Sequence, residues 1–251
     1  MTVPVLTAGL AAPHGFFTRE GGVSTGPFAT LNCSLSGRDH PDAVAENRAR
    51  ARAVLGAPAL VGLFQVHGAD VVVVDEPWGD DARPRADALV TRRRGIALGI
   101  VTADCAPVLL LDAEAGVIGA AHAGWRGALA GVLGATVAVM ERLGAARGRI
   151  AAAIGPAIRQ PSYEVAADLR DAVLAADPAH AHFLVDGERA GRWRFDLPGF
   201  CAAALARAGV GRVTDLGLDT YAEPGRFFSY RRATHERAGP IGHQLSAIAL
   251  G

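Results

Sequence analysis

Three apolar segments of strand length follow one another between residues 95 and 123, with only a few residues between them. They are GIALGIVT (95–102), PVLLLD (107–112) and GVIGAAHA (116–123). Each is apolar at nearly every position, which is typical of strands covered on both faces. The links between them, such as DAEAG at 112–116, are short enough for hairpins. The middle of the chain is therefore predicted to form buried sheet.

Further strands and several helices are predicted on either side of this sheet. The strand candidates are DVVVVD (70–75), RIAAAIG (149–155) and a closing strand HQLSAIAL (243–250), and helices are predicted at 42–55, 127–143, 164–176 and 198–208. Short links and helices together favour an α/β (α+β) fold with a mixed sheet over a regular βαβ array. No internal repeat or low-complexity linker divides the chain, and residues 76–87 are expected to form a surface loop. A single domain spanning residues 1–251 is therefore expected.

The composition limits the setting in which the chain works. Its 251 residues are half apolar, so the core is large enough to need no disulfides. The three cysteines are odd in number, widely spaced and without a CxxC motif, which favours a reducing, cytoplasmic environment. A formal charge of zero gives no general attraction to nucleic acid or to an anionic membrane. No apolar run reaches the roughly 18 residues of a membrane helix, and the N-terminus lacks the basic region of a signal peptide.

The chain contains no lysine, and all 25 of its basic residues are arginine. A genome rich in G and C explains this bias without any functional cause. The bias still excludes chemistry that needs a lysine amine, namely a Schiff base or the lysine of a phosphate-binding P-loop. Any phosphate must therefore be held by arginine side chains and backbone amides.

Three apolar contexts each contain one candidate metal ligand. They are His67 in FQVHGAD, Cys105 in TADCAPV and His122 in AAHAGWRG, each at or near the end of a predicted strand. Two imidazoles and a thiolate suit zinc, and three protein ligands leave the fourth position open for water, as in catalytic sites. The other interpretation is structural, since a lone histidine or cysteine in an apolar stretch is usually a core residue. No local motif ties the three together, so both interpretations stay open on spacing alone.

Polar residues close to these candidates add to the metal interpretation. Asp104 can orient a ligand or carry a proton. Trp125, Arg126 and Gly127 lie where a helix is predicted to begin, which favours an anion. The glycine-rich segment 18–28 carries Arg19, which is a second candidate for phosphate or carboxylate, although the segment can equally be an ordinary hairpin.

A multicopper oxidase centre is excluded by counting histidines. A blue-copper centre with a trinuclear cluster takes about ten histidines, mostly in HxH pairs. This chain has eight histidines and a single HxH, His180 and His182, which is expected on a solvated loop. Copper can therefore occupy a single site, but not as a multicopper cluster.

A series of motifs occurs in order from about residue 14 to the C-terminus. They are TREGGVS, ENR (46–48), QVHGADV, ADALVT, TADCAPVLL, AHAGWRG, AIGPAI followed by YEV, FDL and FFSYRR. As a set they resemble the laccase-domain family, whose members are also called multicopper polyphenol oxidase-like or peptidoglycan-editing-factor proteins.

This resemblance implies a fold, a metal site and an activity. Members of the family have a single-domain, mixed-sheet α-β-β-α sandwich related to cysteine hydrolases of the cytotoxic-necrotizing-factor type. Their zinc is bound by a histidine, a cysteine and a second histidine, which fall here on His67, Cys105 and His122. The family is described as purine nucleoside phosphorylases that also deaminate adenosine and cleave methylthioadenosine.

The chain departs from the family pattern in two places. Arg159 follows the GPxI motif where a glycine is common, and His243 stands in an irregular C-terminal tail where an arginine is common. Both changes leave the three ligands intact. They therefore bear on substrate preference rather than on the metal.

The leading functional hypothesis is a zinc-dependent purine nucleoside phosphorylase with adenosine deaminase and methylthioadenosine phosphorylase activity. Its substrates are a nucleoside and inorganic phosphate, and Cys105, His122 and Asp104 serve the chemistry. Arginines are expected to hold the phosphate and an amide the ribose or base, the candidates being Arg19, Arg126, Arg231 and Asn47. The chain is expected to act as a monomer or a small homo-oligomer.

Two other classes of function compete with this hypothesis. One is an amide hydrolase that edits a peptidoglycan precursor, with Cys105 as nucleophile and His122 as base. The other is a module that binds a cofactor or partner without catalysis. The cysteine, histidines and aspartate of the motifs make this last class the weakest.

Overall fold

The computed structural model describes residues 3–251, in which two large mixed sheets and a small one form the framework. The strands are β1 (Val5–Leu6), β2 (His14–Phe17), β3 (Ala59–Val61), β4 (Val71–Val73), β5 (Ala88–Thr91), β6 (Ile96–Thr102), β7 (Ala106–Asp112), β8 (Val117–Ala123), β9 (Ala151–Ile154), β10 (Glu164–Val165), β11 (Leu184–Asp186), β12 (Trp193–Phe195), β13 (Arg212–Asp215) and β14 (Gln244–Ala249). The helices are α1 (Pro41–Val54), α2 (Trp125–Leu129), α3 (Val132–Arg142), α4 (Ala167–Ala176), α5 (Leu197–Arg207) and α6 (Tyr230–Glu236).

The two large sheets contain both parallel and antiparallel pairs. One has the strand order β1-β2-β14-β6-β3 and the other the order β13-β9-β7-β8-β5-β4, while β10, β12 and β11 form the small sheet. The pairs β3–β6, β4–β5 and β9–β13 are parallel, and the remaining pairs of the two sheets are antiparallel. The predicted hairpin between β7 and β8 and the predicted mixed sheet are both confirmed.

Alternation of side chains along the central strands builds four layers. In β6, Leu98 and Ile100 point into the core between the two sheets, whereas Ala97 points toward α1. In β7, Leu109 joins the same inter-sheet core, and Leu110 packs on the opposite face with α3 and α5. Both faces of each strand are therefore covered, which explains the continuous apolar runs. The expected α-β-β-α sandwich is confirmed.

Several predicted elements have different limits in the structure. The helix predicted at 127–143 is divided at Gly131, whose φ of 88° ends α2 and begins α3. The helix predicted at 164–176 begins only at Ala167, because residues 164 and 165 pair with β12. The strand predicted at 70–75 is shorter, because β4 covers only residues 71–73, and it lies at the edge of its sheet with Val73 39% exposed. His180, expected in solvent, is buried edge-on against Phe200.

The register of the strands brings several loops to one end of the sandwich. Pro107 pairs with His122 across the β7–β8 hairpin, so the start of β7 lies beside the end of β8. Ala88 pairs with Ala121, which places the start of β5 at the same end. Thr102, the last residue of β6, pairs with the first residue of β14. Within residues 3–251, none of the helices combines the length and the apolar character needed to cross a membrane.

Candidate metal centre

His67, Cys105 and His122 meet at this end of the sandwich. One ligand atom from each residue lies within 4.8 Å of the other two. The two imidazole rings are edge-on, with centroids 4.8 Å apart and an interplanar angle of 77°. The β7–β8 hairpin brings Cys105 and His122 together, and the loop that leads into β4 adds His67. The three residues singled out in the sequence are therefore neighbours in space.

A fourth residue, Asp87, holds two of these ligands in place. Its wholly buried carboxylate accepts the backbone N–H groups of Val66 (3.2 Å), His67 (2.9 Å) and Gly68 (2.6 Å). The same carboxylate lies 2.8 Å from Nδ1 of His122. His67 has a φ of 61°, which is uncommon for a residue other than glycine, and the three hydrogen bonds stabilise it there. The bond to Nδ1 leaves Nε2 of His122 free to bind a metal, as is usual for histidine ligands.

Asp87 was not recognised in the sequence as a functional residue. It ends the charged segment 76–87, which is indeed a loop over most of its length. The available signal was an acidic residue directly before a mostly apolar strand, where a buried carboxylate needs several partners.

Charge within the cluster favours a thiolate and a basic imidazole. Burial by itself raises the pKa of Cys105, but the charges and hydrogen bonds of His122 and His67 outweigh it and lower that pKa. Burial by itself lowers the pKa of His122, but Cys105 and Asp87 outweigh it and raise that pKa. A low-pKa cysteine is the form that binds metal ions and also the form that acts as a nucleophile.

Gly124 lies directly against two of the three ligand residues. A Cβ atom at this position would lie 2.9 Å from Cδ2 of His67 and 3.0 Å from Sγ of Cys105. The backbone of Gly124 is extended (φ −71°, ψ 162°), so glycine is not required there for its conformation. Its lack of a side chain instead keeps open a cradle beside two of the three ligand residues. The donor set and this cradle fit a metal ion of the zinc type.

A cleft of about 940 Å³ opens over the cluster. Its lining includes the three ligand residues. It also includes three aromatic residues, Trp125, Tyr163 and Tyr230, and five arginines, Arg83, Arg126, Arg189, Arg192 and Arg231. Small-molecule sites combine a concave apolar surface with a few charged groups in this way. The cleft is large enough for a nucleoside-sized ligand.

Asp104 lines the cleft and is almost fully buried. Its carboxylate accepts hydrogen bonds from Oγ1 of Thr220 and from the backbone N–H of Arg231, both at 2.7 Å. Burial raises its pKa, although these hydrogen bonds oppose the shift. A raised pKa favours the protonated form of the carboxyl group, which is consistent with the predicted role of Asp104 as a proton carrier.

Arg126 and Arg231 both line the cleft, in different environments. Arg231 lies 5.3 Å over the ring of Tyr163, and its guanidinium donates to the carbonyl of Glu164. Arg126 is exposed and lies 4.2 Å over the ring of Trp125. Its guanidinium has no hydrogen bond or ion pair with any other side chain in the described part of the chain. Arg126 is therefore the cation of this pair that is free to bind an anion.

Arg19 and Asn47 do not line the cleft. The Arg19 guanidinium donates to the carbonyls of Ala29 (2.8 Å) and Pro224 (3.0 Å) and lies over the ring of Phe228. Asn47 is wholly buried and accepts the backbone N–H of Val23 at 2.8 Å, while its amide nitrogen donates to three further groups. Both side chains have structural partners that hold the loop 18–34, so we leave them out of the proposed site.

Arg159, at the first departure from the family pattern, also lies away from the cleft. It forms an ion pair with Asp215 at 2.6 Å. His243, at the second departure, lines the cleft. Only the second departure is therefore in a position to affect substrate preference directly.

Known proteins resemble this chain over most of its length. A family model described as "Multi-copper polyphenol oxidoreductase laccase" matches residues 13–251. The chain is 47% identical to "Purine nucleoside phosphorylase ORF3" of Streptomyces griseus, over 88% of this chain and 89% of that protein. It is 46% identical to a "Purine nucleoside phosphorylase" of Deinococcus radiodurans, over 99% of this chain and 93% of that protein.

Two solved structures have the same fold. The Neisseria meningitidis protein NMB0706 aligns over 100% of this chain and 99% of its own, with a TM-score of 0.88 and 34% identity. YlmD from Geobacillus stearothermophilus aligns over 94% of this chain and 91% of its own, with a TM-score of 0.86 and 34% identity.

Proposed function

The chain belongs to the multi-copper polyphenol oxidoreductase laccase family, and we propose that it is a zinc-dependent purine nucleoside phosphorylase. Relatives that share 40–47% of its sequence carry the name purine nucleoside phosphorylase, which supports an enzyme of that kind. The observation that carries the proposal is the His67–Cys105–His122 cluster at the wall of a cleft that also presents a free arginine. This donor set favours zinc, and copper can occupy the same single site.

In this proposal, different side chains of the cleft bind the metal ion, the phosphate and the purine. A zinc ion held by the three ligands would supply a Lewis acid and lower the pKa of water close to the substrate. Arg126, whose guanidinium has no partner among the other side chains, would hold inorganic phosphate through charge-assisted hydrogen bonds, and Arg231 is a second candidate in the same cleft. Trp125, Tyr163 and Tyr230 offer flat surfaces on which a purine can stack. Phosphate bound in this way can attack C1′ of the ribose as the purine leaves.

We include adenosine deaminase and methylthioadenosine phosphorylase activity in the proposal. Deamination needs water in place of phosphate, and Asp104 is a carboxyl group in the same cleft with a raised pKa. It can deliver a proton to the leaving amine. Methylthioadenosine differs from adenosine only at the 5′ position, so the same phosphate site serves both nucleosides.

The test is to incubate the purified protein with adenosine, with and without inorganic phosphate, and to resolve the products. We expect adenine and ribose 1-phosphate only when phosphate is present, because phosphate is then the nucleophile. We expect inosine under both conditions, because deamination uses water. A zinc chelator should suppress both reactions together. If adenosine survives all conditions, with zinc present, the proposal is wrong.

One observation favours a second candidate function. Cys105, His122 and Asp87 form the nucleophile, base and orienting carboxylate of a cysteine hydrolase, with a lowered thiol pKa and a 2.8 Å bond between histidine and carboxylate. Such an enzyme would cleave an amide, for example in a peptidoglycan precursor. The two candidates differ in whether His67 is needed for the chemistry.

A further inference from the structure

Two unpartnered polar atoms lie in the wall of the cleft. Across residues 3–251, three buried side-chain atoms have no hydrogen-bond partner, and they belong to Thr102, His180 and His243. His180 packs against Phe200 away from the cleft. Thr102 and His243 both line the cleft, and Thr102 is only 1% exposed. Proteins seldom keep such atoms unpaired, and a pair of them in one binding cleft points to a ligand that supplies the missing partners.

The backbone holds these two residues together. Thr102 ends β6 and pairs with Gln244, the first residue of β14, so His243 is its neighbour across the strand pair. The backbone N–H of His243 donates to Oδ1 of Asn32 at 2.9 Å, and its carbonyl accepts the N–H of Cys33 at 3.0 Å. The position of His243 is thus fixed by its main chain, while Nδ1 of its imidazole has no hydrogen-bond partner.

The side chains of Thr102 and His243 are uncharged at neutral pH. Burial lowers the pKa of His243 to about 4, so its imidazole has one donor and one acceptor nitrogen at neutral pH. The hydroxyl of Thr102 also both donates and accepts. Ser34 and Ser36 add further hydroxyls to the same lining. Arg83, an arginine of the same lining, donates to the carbonyls of Asp80 and Leu63 and to Oγ of Ser36.

We propose that Thr102 and His243 form the ribose subsite of the cleft and hydrogen-bond the 2′- or 3′-hydroxyl of a nucleoside. The inference rests on the proposed nucleoside phosphorylase function. Ribose hydroxyls are neutral, and each can both donate and accept a hydrogen bond. They can therefore supply the partners that Oγ1 of Thr102 and Nδ1 of His243 do not have. A phosphate group would instead need charged donors, and a purine ring would need flat apolar faces, both of which other residues of the cleft supply.

The experiment compares kcat/KM for adenosine, 2′-deoxyadenosine and 3′-deoxyadenosine, each with phosphate. The variants are Thr102→Val and His243→Phe, which remove the polar atoms and keep a similar shape. The wild-type protein should prefer adenosine over at least one deoxy analogue by about tenfold or more, the effect of one lost hydrogen bond to the substrate. In each variant the ratio of kcat/KM for adenosine to kcat/KM for that analogue should fall toward one. The reason is that activity on adenosine falls while activity on the analogue does not.

Thr136→Val is the matched control, because the hydroxyl of Thr136 is already bonded to the carbonyl of Val132 at 2.7 Å inside α3. This control should lower the Tm and leave the substrate preference unchanged. Thr102→Val should leave the Tm unchanged or raise it, because it removes an unpartnered hydroxyl, so this variant tests the proposal even if His243→Phe fails to fold.

The outcomes separate the ribose assignment from the proposed function. If the wild type cleaves adenosine and both variants keep its preference for adenosine, the ribose assignment is wrong and the phosphorylase function stands. If both variants lose activity equally on all three nucleosides, the two residues only shape the cleft and do not hydrogen-bond the ribose hydroxyls, so the ribose assignment is wrong. If the wild type cleaves no nucleoside, both proposals fall.

Discussion

Oδ1 of Asp87 lies 2.8 Å from Nδ1 of His122 and also accepts the backbone N–H of His67 at 2.9 Å. One buried oxygen atom therefore connects two candidate ligands that come from different segments of the chain. Burial would raise the pKa of Asp87, but the hydrogen bonds from His122, Gly68 and His67 outweigh it and lower that pKa. The lowered pKa favours the charged carboxylate, which accepts hydrogen bonds from the ring of His122 and the backbone of His67.

Replacing this carboxylate should weaken the metal site. In Asp87→Asn, the amide NH₂ group faces donors that the carboxylate accepted, so at least one hydrogen bond is lost. We expect metal affinity to fall by about 10- to 100-fold, as for other residues that orient a histidine ligand. Competition with a chromophoric zinc chelator measures this. Asp75→Asn is the control, since Asp75 is 73% exposed in a surface ion pair. Equal affinity in both variants would contradict the role of Asp87.

Filling the cradle at Gly124 should have a similar effect by a steric route. The methyl group of Gly124→Ala would lie about 3 Å from His67 and Cys105, so the ligands must move apart. We expect reduced zinc content in protein purified without chelators. Gly134→Ala is the matched control, because Gly134 is exposed in α3 with open space around it. It should keep full zinc content and raise the free energy of unfolding by roughly 0.5–1 kcal/mol. Full zinc content in Gly124→Ala as well would show that the ion does not need this space.

The sequence predicts those parts of the site that depend on local order in the chain. The short link between β7 and β8 forces a hairpin, and a hairpin brings Cys105 beside His122. The composition of a loop does not reveal whether its polar groups already have partners, and in the structure Arg19 and Asn47 both do. The carbonyl of Pro224 bonded to Arg19 is 205 residues away along the chain. The role of Asp87 likewise depends on contacts between distant segments, which only the folded chain shows.

Arg126 should contribute to phosphorolysis, in which phosphate is the nucleophile, more than to deamination, in which water is. Arg126→Ala is expected to lower kcat/KM for phosphorolysis of adenosine by about 10- to 100-fold, the effect of one lost charge-assisted hydrogen bond. Deamination, measured in the absence of phosphate, should change much less. Arg170→Ala is the matched control, because Arg170 also lies over a tryptophan, 4.5 Å from the ring of Trp193, and does not line the cleft. Equal loss of both reactions in Arg126→Ala would indicate that Arg126 shapes the site instead.

Asp112, another buried carboxylate, should affect stability at acid pH. Asp112 accepts the backbone N–H groups of Glu114, Ala115 and Ala146 and pairs with Arg149 at 3.0 Å. Burial would raise its pKa, but Arg149 and these N–H groups outweigh it and lower that pKa from the ordinary value of 3.8. The folded state therefore binds this proton less tightly than the unfolded state. The stabilisation is complete above pH 3.8 and is lost as the pH falls through the lower, folded value.

Asp112→Asn should accordingly lower the free energy of unfolding at pH 7 by about 2 kcal/mol. The difference from the wild type should shrink as the pH falls below 3.8. Urea unfolding at several pH values measures both effects. Glu114→Gln is the control, because Glu114 is the 73% exposed partner of the same arginine and its loss should cost less than about 0.5 kcal/mol. A difference that stays constant with pH would mean that the charge of Asp112 contributes little.

His67 decides between the two candidate functions. A metal site needs it as the third ligand, whereas a cysteine hydrolase built on Cys105, His122 and Asp87 does not. His67→Asn removes the imidazole and suits the backbone, because asparagine tolerates the positive φ of 61° better than most residues. We expect the variant to fold with a Tm close to that of the wild type. Its zinc content should fall, and its phosphorolysis of adenosine should fall by about 100-fold or more, since a catalytic zinc site with two protein ligands is incomplete.

The control for this change is His40→Asn, because His40 lies on the surface before α1, with 74% of its side chain exposed. It should keep both zinc and activity. Cys105→Ala should resemble His67→Asn if the two residues hold one ion. The hydrolase interpretation makes the opposite prediction, because cleavage of an amide substrate would then survive in His67→Asn and disappear only in Cys105→Ala. Amide cleavage in that pattern, together with unchanged zinc content in His67→Asn, would make Cys105 a nucleophile and remove the metal from the mechanism.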